Sequence, residues 1–291
     1  MGGRLLPFGC GASLRHRRET NTRSIFSRRS LSESGNLGSR RDAMTPKPPG
    51  PEREAAGPPD VEDALAALSD TTPVDVAECR AACEALEAAT LRSCRCHRRV
   101  LDADGARSLV LAMQRHPADA ELQIAAAGAL QHLAASEERD TCSQLVAAGA
   151  CEAICTALTA HPQHSPLQQV ACNALEILAL GSSEAGVAVA AEGGADAAVQ
   201  VLKAPSAGLE ARRAAAMMLQ AMLGVGDEVV DRIVSQGGVP AAVSALCDQK
   251  DDPLMQYWGQ MLLRGLCAGK AEVKAEVQRK CHWQGVELDL A

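Results

Sequence analysis

The densest grouping of metal-ligating side chains in the chain is Cys94-Arg95-Cys96-His97, preceded by Cys79 and Cys83. Cys79 and Cys83 stand four residues apart, so a helix there would carry both thiols on one face. Thiolates and imidazoles are zinc ligands, and a zinc-binding or thiol-active site would draw on Cys79, Cys83, Cys94, Cys96 and His97. Their spacing matches no common zinc module. Most of the other cysteines stand in Ala-rich helical patterns such as Val170-Ala171-Cys172 and Ala245-Leu246-Cys247, where Cys acts as a small apolar side chain. Packed thiols beside a basic turn are therefore the preferred reading, zinc is the alternative, and neither a metal nor a cofactor is expected.

Nothing else in the chain has the spacing of a catalytic centre. No nucleophile, base and orienting residue recur in a recognised arrangement. Gly193-Gly194 and Gly237-Gly238 read as turns between helices and fit neither a Walker nor a dinucleotide pattern. His116-Pro117 and His161-Pro162 occupy one loop position twice, where an imidazole sits well at the negative end of a helix. The chain is expected not to be an enzyme.

The composition narrows the partner. Residues 1–60 hold 11 Lys or Arg against 6 acidic residues, which leaves the remainder acidic within a net charge of −7. An acidic folded part argues against nucleic acid, because phosphate contacts need clustered Lys and Arg. No run of roughly eighteen apolar residues occurs, so no membrane span is expected. Gly2 is present, but Leu6 stands where a myristoylation pattern needs Ser or Thr. The first 43 residues carry nine Arg, seven Ser and three acidic residues, and the run from Met44 to Pro59 is Pro-rich. Residues 1–60 are expected to be a disordered, removable tail, with an organelle transit peptide, a true start at Met44 and a basophilic kinase site at Arg28-Arg29-Ser30-Leu31-Ser32 as the other readings. A cytoplasmic monomer with reduced thiols is expected, the mitochondrion being the alternative.

Thereafter the chain repeats. Gly105, Gly149, Gly194 and Gly238 recur with Val110, Ile154, Val199 and Val243 five residues after each. Leu130, Leu175, Leu219 and Leu263 keep nearly the same period, joined three residues later by Leu133, Leu178, Met222 and Leu266 on the same helix face. Pro117, Pro162, Pro205 and Pro253 mark the loop before each long helix, and Ser165-Pro166 and Asp252-Pro253 read as an N-cap followed by proline in the first turn. Each unit is then a short helix, a glycine turn, a second helix, a proline-marked loop and a long third helix. Four units are expected at 94–135, 139–180, 183–223 and 226–268, with 61–93 supplying capping helices, one of them at Val76 to Thr90, and Ala271 to Cys281 closing the far end of the 94–291 region.

This layout resembles the armadillo repeat, most closely over residues 141–150 and from Leu167 to Ala179. The resemblance implies an all-α, right-handed superhelical solenoid that acts as a protein-protein interaction scaffold, its third helices lining a concave groove for a partner protein or peptide. The family's groove Trp position falls on Gly128, Asn173, Met217 and Met261, and its groove Asn position on His132, Ile177, Ala221 and Gly265. The ladder with which nuclear-import members grip basic peptides is thus missing. One turn earlier stand Ile124, Gln169, Arg213 and Tyr257. From these positions the partner-binding residues are expected to be His132, Gln169, Asn173, Arg213, Met217, Tyr257 and Met261, with Asn173, Arg213 and Tyr257 exposed because no core requires them.

Overall fold

The computed structural model describes residues 61–69, 75–136 and 140–284. The expectations placed on residues 1–60 lie outside them. The described residues form fifteen α-helices and one 3-10 turn, with no strand among them. They are α1 (Val61–Ser69), α2 (Val76–Arg92), α3 (Cys94–Asp102), α4 (Gly105–Arg115), α5 (Ala120–Ala134), α6 (Thr141–Ala147), α7 (Ala150–Ala160) and α8 (Ser165–Gly181). Beyond these follow α9 (Ser183–Ala191), α10 (Gly194–Lys203), α11 (Gly208–Met222), α12 (Asp227–Ser235), α13 (Gly238–Asp248), α14 (Pro253–Cys267) and α15 (Ala271–Gln284). Helices α3 to α14 make four three-helix repeats at the expected places.

The repeat is held by its third helices. Leu130, Leu175, Leu219 and Leu263 are fully buried, as are Leu133, Leu178, Met222 and Leu266 one turn on. Each third helix packs on the next, in the order α2, α5, α8, α11, α14. Alanines at 126, 127, 171, 174, 215 and 216 are also buried, and their small side chains let these helices approach closely. A second polar row fastens each unit internally. Gln123 donates to the carbonyls of Met113 and His116 at 2.8 and 3.0 Å, and Gln256 to those of Leu246 and Gln249 at 2.8 and 3.0 Å. Gln168 reaches the carbonyl of Pro162 at 2.6 Å, and Arg212 that of Leu202 at 3.2 Å. The long helix thereby caps carbonyls that the second helix leaves free at its C-terminal end.

Three details differ from the sequence reading. First, α1 and α2 are more than a cap: α2 packs on α5 as the other third helices pack on each other, and Leu86, fully buried, takes the anchor place. They take the places of the second and third helices of a repeat. Second, the left-handed turn residues are Asp104, Gly149, Gly193 and Gly237, with φ of 56, 85, 76 and 82°. Gly149 therefore matches Asp104, Gly193 and Gly237, while Ala150 opens its helix where Gly105, Gly194 and Gly238 open theirs. Cys155, not Ile154, then stands level with Val110, Val199 and Val243. Third, His164 is the N-cap of α8, its Nδ1 accepting from the Leu167 amide at 3.3 Å, while the Ser165 hydroxyl donates to the carbonyl of Ala207 in the following repeat. Asp252 caps α14 as expected, accepting from the Met255 amide at 2.6 Å.

Candidate functional site

Because the anchor leucines point into the stack, residues on the opposite side of each third helix form one continuous face. Four rows make it up, each counted from the anchors, with Leu86 as the first. Six residues before the anchor stand Arg80, Ile124, Gln169, Arg213 and Tyr257, and two before it Glu84, Gly128, Asn173, Met217 and Met261. One residue after it stand Glu87, Gln131, Glu176, Gln220 and Arg264, and two after it Ala88, His132, Ile177, Ala221 and Gly265. The α2 members of these rows were missed in the sequence, although Pro73 and Leu86 carry the period.

The seven residues named from sequence do share this face, but in different states. Tyr257 is 54% exposed and stands edge-on to Trp258, with ring centroids 5.0 Å apart. Gln169, Asn173, Met217 and Met261 are half-buried, so Asn173 too departs from the exposure expected of it. His132 is half-buried too, its Nδ1 lying 3.3 Å from the Thr90 hydroxyl. Arg213 departs from the expected exposure: its side chain is 17% exposed, bonded to Glu210 at 2.7 Å and to both carboxylate oxygens of Asp252, one at 2.8 Å. The cause is local, since Asp252 is the N-cap of the next third helix and turns its free lone pairs toward the guanidinium. Arg80 repeats the pattern at the other end by pairing with Asp119, the N-cap of α5. Arg213 holds Asp252 below the usual carboxylate range, and burial only partly opposes it.

In the row after the anchor Glu87, Gln131, Glu176 and Gln220 are sheltered and Arg264 is exposed. The carboxylate of Glu87 lies across the next helix onto Gly128, where a Cβ would come 2.3 Å from Glu87 Oε1. Burial, then the neighbouring Glu84, raises the Glu87 carboxyl. Glu176 is 4% exposed, and burial pushes its carboxyl up to about 7. At the α14 end the face turns apolar, with Leu254 45% exposed one turn before Tyr257.

The zinc alternative finds no support in the geometry. Cys79 and Cys83 point into the core, where burial pushes the Cys83 thiol up to about 12 and so disfavours the thiolate that a metal needs. His97 is buried with Nε2 2.8 Å from the carbonyl of Thr90, and Cys96 is half-buried. Among the described residues no three metal-ligating side chains gather, and the ten cysteines whose side chains are described form no disulfide. No single described helix is long and apolar enough to cross a membrane.

No protein-family model matches the chain, and no curated protein does. Solved structures do. An engineered protein from a structural genomics consortium is 26% identical over 78% of this chain and 94% of its own, with a TM-score of 0.61. A computationally designed armadillo repeat protein for modular peptide recognition is 18% identical over 78% of this chain and 89% of its own, at a TM-score of 0.65. A designed armadillo repeat protein in complex with the peptide (KR)4 is 17% identical over 78% and 88%, at 0.63. The chain has an armadillo-type helical repeat fold.

Proposed function

We propose that the protein binds an extended segment of a partner protein along the face made by α2, α5, α8, α11 and α14, and performs no chemistry of its own. The observation that carries this is the exposure of Leu254 and Tyr257 on the third-helix face of α14, beside half-buried Met261, when the anchors behind them are wholly buried. The fold has no need of large apolar side chains there, whereas a bound chain would bury them. The designed neighbours, one made for peptide recognition and one holding a peptide, support peptide binding as a use of this fold.

The test is a random peptide library displayed on phage and selected on the full chain. Enriched peptides should bind the Tyr257→Ala, Met261→Ala double variant at least about tenfold more weakly, a loss of about 1.4 kcal/mol, with unchanged melting. Undiminished binding by that variant, with loss on deleting residues 1–60, would place binding in the N-terminal segment instead. The same reading has the protein as a cytoplasmic monomer, or a mitochondrial one if residues 1–43 direct it there. Light scattering and a fluorescent fusion with and without residues 1–43 decide these points.

A further inference from the structure

Glu176 is a carboxylate more than nine-tenths withdrawn from water, and no described residue gives it a hydrogen bond or an ion pair. Buried carboxylates are ordinarily matched by donors. It stands on one helical stripe with Gln169, Asn173 and Leu180, spaced four, three and four residues apart, so its side chain belongs to the third-helix face. Its oxygens are not among the fully enclosed unpartnered atoms, which leaves them an edge toward solvent. Gln220, the same position one repeat later, does have an enclosed Oε1 with no donor. Two acceptors in successive repeats thus lack a donor. Glu87 shows how this row extends, across the joint onto the residue two before the next anchor. For Glu176 that residue is Met217, a flexible side chain able to move aside.

The cations around Glu176 are committed elsewhere. On α11, Arg212 holds Asp248 and Arg213 holds Glu210 and Asp252. On α10, Lys203 donates to the carbonyl of Gln236, and Asp196 is taken by Arg232. On α5, Glu121 lies toward His164, and His132 toward Thr90. The remaining titratable groups on the helices packed against α8 are acids or thiols: Glu152, Cys151 and Cys155 on α7, and Glu184 on α9. Cys172, one turn back on α8, is a fully buried thiol.

We infer that Glu176 is the acceptor for a cationic side chain, Lys or Arg, of the segment held on this face. The inference rests on the groove reading and adds the chemistry of one subsite. The cation would supply the donors that the fold omits, and would draw the carboxyl, held up to about 7 by burial, back to its ionised form. A proton therefore leaves as the peptide binds near neutral pH, and affinity rises as pH rises through 7. Third helices lie about 10 Å apart, and an extended peptide advances about 3.3 Å per residue. A side chain on Tyr257, two repeats on, is then about six residues from the cation.

The probe is a fluorescein-labelled octapeptide of alternating Lys and Arg, read by anisotropy on the full chain at pH 6 and pH 8 at fixed ionic strength. The wild type should bind about tenfold more tightly at pH 8. Glu176→Gln, which keeps shape and removes charge, should lose that difference and bind at the pH 6 level throughout. Glu84→Gln, an exposed carboxylate on the same face, should weaken binding modestly and keep the pH dependence. Calorimetry in two buffers at pH 7 should show proton release that Glu176→Gln abolishes. Equal binding by wild type and Glu176→Gln at pH 8, or no pH dependence in the wild type, overturns the inference. In either event the library peptides judge the groove by themselves: if they still need Tyr257 and Met261, the groove reading stands without this subsite.

Discussion

Arg213 and Tyr257 occupy equivalent positions of successive third helices, and from sequence they read alike, as large polar-tipped side chains that no core requires. The structure separates them, because Asp252 at the start of α14 binds the Arg213 guanidinium while Tyr257 stands 54% exposed. Arg213→Ala should strip a sheltered carboxylate of its partner and lower stability by about 1–3 kcal/mol, whereas Tyr257→Ala should stay within about 0.5 kcal/mol of the parent. Urea titrations of the two variants check the contrast. Glu176 makes the opposite case, a buried charge that spacing alone gives no reason to notice. Its carboxyl titrates near 7 in the folded chain against an ordinary 4.5, so between those values the folded state holds a proton that the unfolded chain releases. Stability from this group is full below about 4.5, falls as pH rises toward 7 and is flat beyond, a total of about 3 kcal/mol. Glu176→Gln should therefore melt above the wild type at pH 8, with the gap closing near pH 4.5.

At the scale of helices and turns, most of the architecture could be read from spacing. Buried leucines and loop prolines are set by packing and by backbone chemistry, so both recur wherever a repeat recurs. Leu175→Ala should cost about 2–5 kcal/mol, since the anchor is wholly buried between α5 and α11; a parental melting curve would contradict the register. The turns were legible only to within a residue, because Gly149-Ala150 offers one glycine where two of the other turns offer a pair. What decides the matter is φ, which a count of glycines does not contain. Gly237→Ala should lower stability by about 1 kcal/mol, because φ of 82° strains an L-residue, and Asp104→Gly should raise it by up to about 1 kcal/mol. Thermal melts of both variants provide the check. The repeat-like places of α1 and α2 escaped notice because α1 lacks the glycine pair, and the Arg80 and Arg213 pairs escaped because each depends on which residue the following loop delivers as a cap.

Across the whole molecule, the apolar rows are nearly interchangeable and the polar contacts at the joints are not. α2 meets α5 through Arg80 and Asp119, and the second repeat meets the first through His161 on the carbonyl of Pro117 at 2.7 Å. The second and third are tied by Ser165 and the carbonyl of Ala207, and the third and fourth by Arg213 with Asp252 and Arg232 with Asp196. The two middle junctions carry signatures of their own while the outer two share an Arg to N-cap Asp pair, and the set works as an ordering code. Repeat chains of similar modules risk annealing out of sequence as they fold. Here an out-of-order pairing would match the leucines yet leave guanidinium, hydroxyl and carboxylate without their counterparts. A chain with repeats two and three exchanged has identical composition and hydropathy, and should still be helical by circular dichroism. It should nevertheless melt earlier and refold with more aggregate than the parent, because its modules would be in a sequence that their own edges cannot recognise.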